Sequence, residues 1–244
     1  MSFNSITCDA GIKICKVPFT IYGPSAANGS APVLASGDLG MGFAGSSVVA
    51  LMMKEALAEI VSNLQAVPIF HDFGMDGIAN VMFRGFKVIA KSISTALFEK
   101  AATCVVFAGY CEVEQRIRAF RMQLDKQNNA SIVEVLHAVG DVEVFGSGEK
   151  AARVILPSNP SQKDFVNVLQ QVIDDPNVHD VGGNIQYGGF KGRRFQPVGV
   201  AVLGDSPNGV HYWRGPLDLN GPDFDHANGL VLGFPCLDLI TKPI

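Results

Sequence analysis

Apolar and polar residues trade places at the start of the chain. Phe3-Asn4-Ser5-Ile6-Thr7-Cys8 and Ile12-Lys13-Ile14-Cys15-Lys16-Val17 flank the turn signal Asp9-Ala10-Gly11, which predicts a β-hairpin. Gly23 to Ser30 is a loop by composition. Pro32 to Leu34 opens a further strand, which Ser36-Gly37-Asp38 is expected to break before a short glycine-rich strand over Leu39 to Ala44. From Ser46 the period changes. Val49, Met52, Met53, Ala56, Leu57, Ile60 and Leu64 recur at three and four, while Lys54, Glu55 and Glu59 take the other face. This predicts an amphipathic helix over 46–64 with Ser46 or Ser47 as its N-cap. A second helix is expected from about Asp76 to Ala102.

Strands return with the apolar run Cys104 to Ala108, the alternating Arg116 to Leu124, then Ile132 to Ala138 and Val142 to Phe145. Glu149 to Leu156 and Lys163 to Ile173 have helical spacing. Gly182-Gly183 opens a strand-like stretch, followed by Val198 to Leu203 and Val210 to Trp213. The Pro-, Gly- and Asp-rich tail from Pro216 carries no assignable pattern. Strands, two helices, strands, two helices and strands predict an α+β fold: a four-layer αββα sandwich with each sheet covered on both faces. No internal repeat or linker interrupts the chain, so one domain over 1–244 is expected.

Composition agrees with doubly covered sheets. Only 17% of the 244 residues are charged against 48% hydrophobic, below the ~25% charge of ordinary domains. That excludes disorder as the main state. A net charge of −4 argues against a general nucleic-acid binder, which needs a basic face. No uncharged stretch reaches the ~18 apolar residues of a membrane span, and no basic-then-apolar leader opens the chain, so a cytoplasmic protein is expected. Five cysteines without a CxxC read as reduced, buried small hydrophobes, and no metal site or cofactor is expected.

Few motifs carry chemistry. Gly40-Met41-Gly42-Phe43-Ala44-Gly45 spells GxGxxG ahead of a helix, with Asp72 beyond, and imitates a dinucleotide fingerprint. The expected break at Ser36-Gly37-Asp38 argues against it, as does the spacing of Asp72, later than the usual ~20 residues. His71-Asp72 reads as a solvated turn, and Lys191, Arg193 and Arg194 as charges at a hairpin tip. No GxSxG elbow, Walker loop or HExxH is present.

Gly42-Phe43-Ala44-Gly45-Ser46, leading into Ala50-Leu51-Met52-Met53-Lys54-Glu55-Ala56-Leu57, resembles the first strand–helix junction of proteasome β-type proteins, a family that includes the Anbu proteins. Val105 to Tyr110 is similar to the strand and turn after that family's second helix. Phe145-Gly146-Ser147-Gly148 resembles its Gly-Ser-Gly element, and Val181 to Gln186 its Gly-Gly element. The ordered set covers about residues 2–205 and leaves 206–244 as a C-terminal extension. The resemblance implies the same αββα sandwich.

It also implies N-terminal nucleophile (Ntn) chemistry, in which the first residue's side chain attacks and its free α-amine serves as base. Ser2 stands at that place once Met1 is removed. Ser147 is the one supporting residue kept. The family's Asp near the end of the second strand is replaced by Lys16-Val17, and its lysine opening the next strand by Ala31-Pro32-Val33. Polar positions before the Gly-Gly element are Val178 and Val181 here. If the hairpin turns about Ala10, positions 2, 4 and 16 share a face with diagonal neighbours ~7–8 Å apart, so Lys16 would reach Ser2 from a new place; the plainer reading is an exposed strand lysine. Three readings follow: an assembling or binding subunit with a degenerate Ntn site, a peptidase or amidohydrolase using Ser2, Lys16 and Ser147 on a peptide substrate, or a nucleotide-binding α/β protein. The resemblance further implies a homo-oligomer, a ring or spiral; no nucleic-acid or membrane partner is expected.

Overall fold

The computed structural model describes residues 12–25, 29–45, 47–67, 73–97, 102–125, 127, 129–179, 181–203, 210–214, 217–218 and 235–237. Phe3 to Gly11 of the expected hairpin and the pair His71-Asp72 lie outside the described residues. Contacts divide the chain into two compact units. One comprises Cys15–Glu143 with Phe190–Phe195; the other takes the segment up to Ile14, Val144–Gly189 and the chain from Gln196.

The first unit is a six-stranded sheet with a helix pair on one face. Its strands are β1 (Ile14–Tyr22), β2 (Val33–Gly45), β3 (Leu64–Gln65), β4 (Thr103–Cys111), β5 (Arg116–Leu124) and β6 (Ala130–Val135), in the spatial order β3-β1-β2-β4-β5-β6. β1 pairs with β3 in parallel, whereas β2 with β4, β4 with β5, and β5 with β6 are antiparallel. Helices α1 (Ser47–Ser62) and α2 (Met75–Leu97) fall where the period of three and four predicts them. α1 stops at Ser62, where the Ser62 hydroxyl and the Asn63 side-chain amide both donate to the Glu59 carbonyl at 2.9 Å and satisfy one acceptor of the helix end. Leu64, expected inside the helix, instead opens β3.

The core follows from the two periods. Val49, Met53, Leu57 and Val61 of α1, and Met75, Ile78, Met82, Phe86 and Ile93 of α2, are buried against the sheet. The sheet answers with alternate residues: Cys15, Val17, Phe19 and Ile21 from β1, Leu39, Met41 and Phe43 from β2, and Val105 and Phe107 from β4. Phe107 stacks on its cross-strand partner Phe120 with ring centroids 5.4 Å apart.

One strand corrects the sequence reading. β2 does not break at Ser36-Gly37-Asp38 but runs unbroken for 13 residues. Turn-forming residues are tolerated there because Gly37 leaves room for the Phe19 ring, whose nearest carbon lies 2.6 Å from where a Cβ would stand. The opposite face of β2 is equally bare. Phe195 seats its ring on Gly40, 2.3 Å from a would-be Cβ, and meets Phe190 edge-on at 5.3 Å. Arg193, two residues earlier, pairs with Glu112 at 2.7 Å and lies over the Tyr110 ring at 4.6 Å. The charges read as a solvated hairpin tip are therefore partly tied to the β4–β5 turn.

The second unit holds most of β7 (Tyr187–Lys191) and β8 (Arg194–Leu203), the end of β7 and the start of β8 belonging to the other unit, with β9 (Val210–Arg214), β10 (Leu217–Asp218) and β11 (Cys236–Leu237). The spatial order is β10-β9-β8-β11, with β7 also on β8. Its helices are α3 (Glu149–Ile155) and α4 (Gln162–Asp174), close to the predicted spans. α4 opens on a capping box between Ser161 and Asp164. Ala152, Val168 and Val172 form a small core, with Val144, Leu156, Val178 and Val181 packed against it. Val142 to Phe145, expected as a strand, is irregular; Val144 turns toward this helix core instead of pairing. The Gly-Gly stretch is likewise irregular up to Tyr187, with Gly183 at φ 81°.

Candidate functional site

β1 sorts its side chains by parity. Cys15, Val17, Phe19 and Ile21 turn to the helices, so Lys16 stands exposed on the opposite sheet face. The even positions of β2 on that face are Gly40, Gly42 and Ala44, and their β4 partners are Ala108, Val106 and Cys104. This floor is low and apolar. Lys16 is the cation that β1 contributes to its side of the sheet.

Ser147 belongs to the second unit. It is exposed in the turn that leads into α3, where the Glu149 N–H donates to the Gly146 carbonyl at 3.1 Å and Gly146 has φ 104°. Beneath it, Gly148 is buried; a Cβ there would lie 2.7 Å from Val172 and 3.1 Å from Val181. Val178 and Val181 pack there against the small core of Ala152, Val168 and Val172. Ser2 lies outside the described residues. Lys16 and Ser147 are held by separate units.

The glycines of GxGxxG are not a phosphate loop. Gly40 to Gly45 lie within β2, hydrogen-bonded in antiparallel register with Thr103 to Ala108. A dinucleotide fingerprint needs the glycines in a turn after a parallel strand, with backbone N–H groups aimed at a ligand. Here the backbone serves the ladder and Phe195 occupies the space over Gly40. Among the described residues no three His, Cys, Asp or Glu side chains gather as a metal site, and no helix is long and apolar enough to cross a membrane. Cys15, Cys104 and Cys111 carry thiols.

Among the described residues, a cluster of charges gathers where strand alternation gives no sign of it. Arg118 of β5 lies buried on the helix-covered face. It donates to Asp76 in the first turn of α2 at 2.6 and 2.9 Å and to Glu134 of β6 at 2.9 and 2.5 Å. It also pairs with Glu114 at 2.6 Å, and Arg116 bridges Glu114 and Glu134. Hydrogen bonds from Arg118, then from Arg116, hold the Glu134 carboxyl below its usual range, against the opposing effect of burial. The same carboxylates raise Arg118, which stays charged throughout the working range. Every partner lies on a different element, so the cluster clamps α2 to the end of the sheet. Its chemistry is structural: a guanidinium already spent on carboxylates has no donors aimed outward. Strand alternation alone could not find it, because Asp76 and Glu134 are 42 and 16 residues away.

No family model matches this sequence, and no curated protein matches it. Among solved structures, it resembles Anbu (ancestral beta-subunit) from Yersinia bercovieri, with a TM-score of 0.45 and 9% identity over 77% of this chain and 84% of that one. It also resembles an Anbu Gly-1 mutant from Hyphomicrobium sp. strain MC1, with a TM-score of 0.42 and 12% identity over 76% of this chain and 86% of that one.

Proposed function

We propose that the chain is a divergent proteasome-β-type protein, one domain over 1–244 with a four-layer αββα sandwich. In this reading it works in the cytoplasm as an assembling or binding subunit of a homo-oligomer, with little or no peptidase activity. The supporting sequence feature is the ordered set of four junction motifs. The observation that carries the degenerate site is the apolar packing under Ser147, where Val172, Val178 and Val181 stand in a region that needs polar support for proton transfer. A serine hydroxyl is a poor nucleophile at neutral pH without a base and a stabilised oxyanion. Loss of acid–base help alone costs ~10²–10⁴-fold in rate.

A second reading keeps Ser2 as an active nucleophile after removal of Met1, acting on peptide or other amide bonds. The exposed position of Lys16, on the face of β1 away from the helices, favours it. The two readings part in one experiment: N-terminal sequencing, a fluorogenic peptide panel and an inhibitor reactive toward N-terminal Ser or Thr. The first expects no turnover and no labelling. Labelling at Ser2 that is lost in Ser2→Ala and strongly reduced in Lys16→Ala would establish the second. Labelling that survives Lys16→Ala would keep the enzyme and remove Lys16 from its mechanism.

A further inference from the structure

The outer surface of the helix pair is divided by charge. α1 exposes Glu55 and Glu59, together with Leu51 (48% exposed) and Met52 (53%). α2 exposes Arg84, Lys87 and Lys91, together with Val88 (69%). Glu55 makes one ion pair, with Lys54 of its own helix at 2.9 Å, and its side chain remains 74% exposed. Lys87 lies over the Phe83 ring of its own helix at 4.9 Å, which leaves its charge at the surface. The face is thus acidic on one helix, basic on the other, with three apolar side chains among the charges.

The two helices run in opposite directions. Ile60 and Leu57 lie against Gly85, and farther along α1, Asn63 shares a groove with Val81. Glu59 therefore stands level with Arg84 to Val88, and Glu55 with Lys87 to Lys91. A two-fold axis lying between the helices and along them would carry α1 of one copy over α2 of the other. Each copy's acidic pair then meets the other's basic triplet, so the contact is made twice, which is the self-complementarity of an isologous interface.

We propose that this face is a docking surface for a second copy of this chain, joined α1 on α2 about a two-fold axis. The choice of occupant rests on charge complementarity, since one surface carries both halves of the match. Size agrees. α1 has 16 residues, about 24 Å of helix, and two helices set ~9 Å apart give a face roughly 20 Å wide. Two such faces bury on the order of 1,000 Å², the lower edge of specific interfaces. The contact is therefore modest and salt-sensitive, with exposed charges largely screened beyond ~10 Å at 0.1 M salt. It deepens the assembly part of the reading above and rests on it.

The test is a charge-reversal cycle on the full chain, read by sedimentation velocity at low and high salt. Wild type is expected to self-associate at micromolar concentration in low salt and to weaken as salt rises. Glu55→Lys with Glu59→Lys, and separately Arg84→Glu with Lys87→Glu and Lys91→Glu, should each weaken self-association at least roughly tenfold, as like charges face one another. An equal mixture of the two variants should recover association, because each then offers what the other needs. Far-UV circular dichroism and melting guard against misfolding, and Glu59→Lys with Arg84→Glu as single variants repeat the cycle if a multiple variant melts early. Wild type that assembles, with reversals that change nothing or a mixture that fails to recover, overturns this surface and leaves assembly standing. A monomeric wild type at every salt overturns both.

Discussion

The two units bury their helices by different means. α1 and α2 rest on a sheet with Phe86, Phe107, Met53, Leu57, Met82 and Met122 fully enclosed between them. α3 and α4 hold together through alanine and valine, with Ala152, Val168 and Val172 at the centre of their described core. A phenylalanine or methionine removes far more apolar surface from water than a valine, so the first helix pair is bound by large contacts. The second relies more on local chemistry: the capping box at Ser161 and the Arg153–Glu149 pair at 2.8 Å. The lesson is that two helix pairs in one chain need not share a source of stability.

The largest test of that contrast is truncation. Phe107→Ala should cost about 4 kcal/mol, seen as a lowered denaturant midpoint, because the vacated space lies between Phe120 and the helices. Val172→Ala, its counterpart in the second unit, should cost only ~1.5 kcal/mol at ~0.8 per buried methylene. Equal losses would erase the distinction.

The clamp at Arg118 gives a smaller effect with a pH signature. Arg118→Met leaves three carboxylates without their shared cation and should cost about 3 kcal/mol at neutral pH, the low end for a buried pair because the Asp76 side chain is 56% exposed. Glu134 has a folded pKa below its unfolded one, so its contribution is present above the ordinary glutamate value of ~4.3 and is lost as pH falls through the folded value. The gap between wild type and variant should therefore narrow as pH is lowered below about 4. Urea titrations at several pH values read this, and a gap that stays constant down to acid would remove Glu134 from the account.

The smallest effect belongs to the second unit. Ser161→Ala removes the side chain that accepts from the Asp164 N–H, worth about 1 kcal/mol. Hydrogen exchange in α4 should quicken several-fold while α1 and α2 keep their protection. Equal acceleration in all four helices would mean that the units open together.

Much of this architecture was legible because its forces are periodic. The burial of Val49, Met53, Leu57 and Val61 follows from spacing alone, and so does the exposure of Lys16 between Cys15 and Val17. What escaped was contact between distant residues. Ser36-Gly37-Asp38 reads as a turn until Phe19 is seen to need the space over Gly37. Arg118 is only one position of the alternating stretch Arg116 to Leu124 until Asp76 and Glu134 arrive from other elements. Of the candidate site, the turn around Ser147 and its valine surroundings could be inferred in order along the chain, but the packing of Gly148 on Val172 could not.

The seat of Phe195 on Gly40 makes two distant positions into one heritable character. No side chain fits at 40 while the ring is in place, and the bare backbone at 40 would be left uncovered if the ring were lost. Drift at either position alone is penalised, so the pair changes together or not at all. Among descendants of this chain, a larger residue at 40 should be found in company with a smaller one at 195. That covariation would mark the hairpin's attachment to β2 even after the rest of the sequence had become unrecognisable.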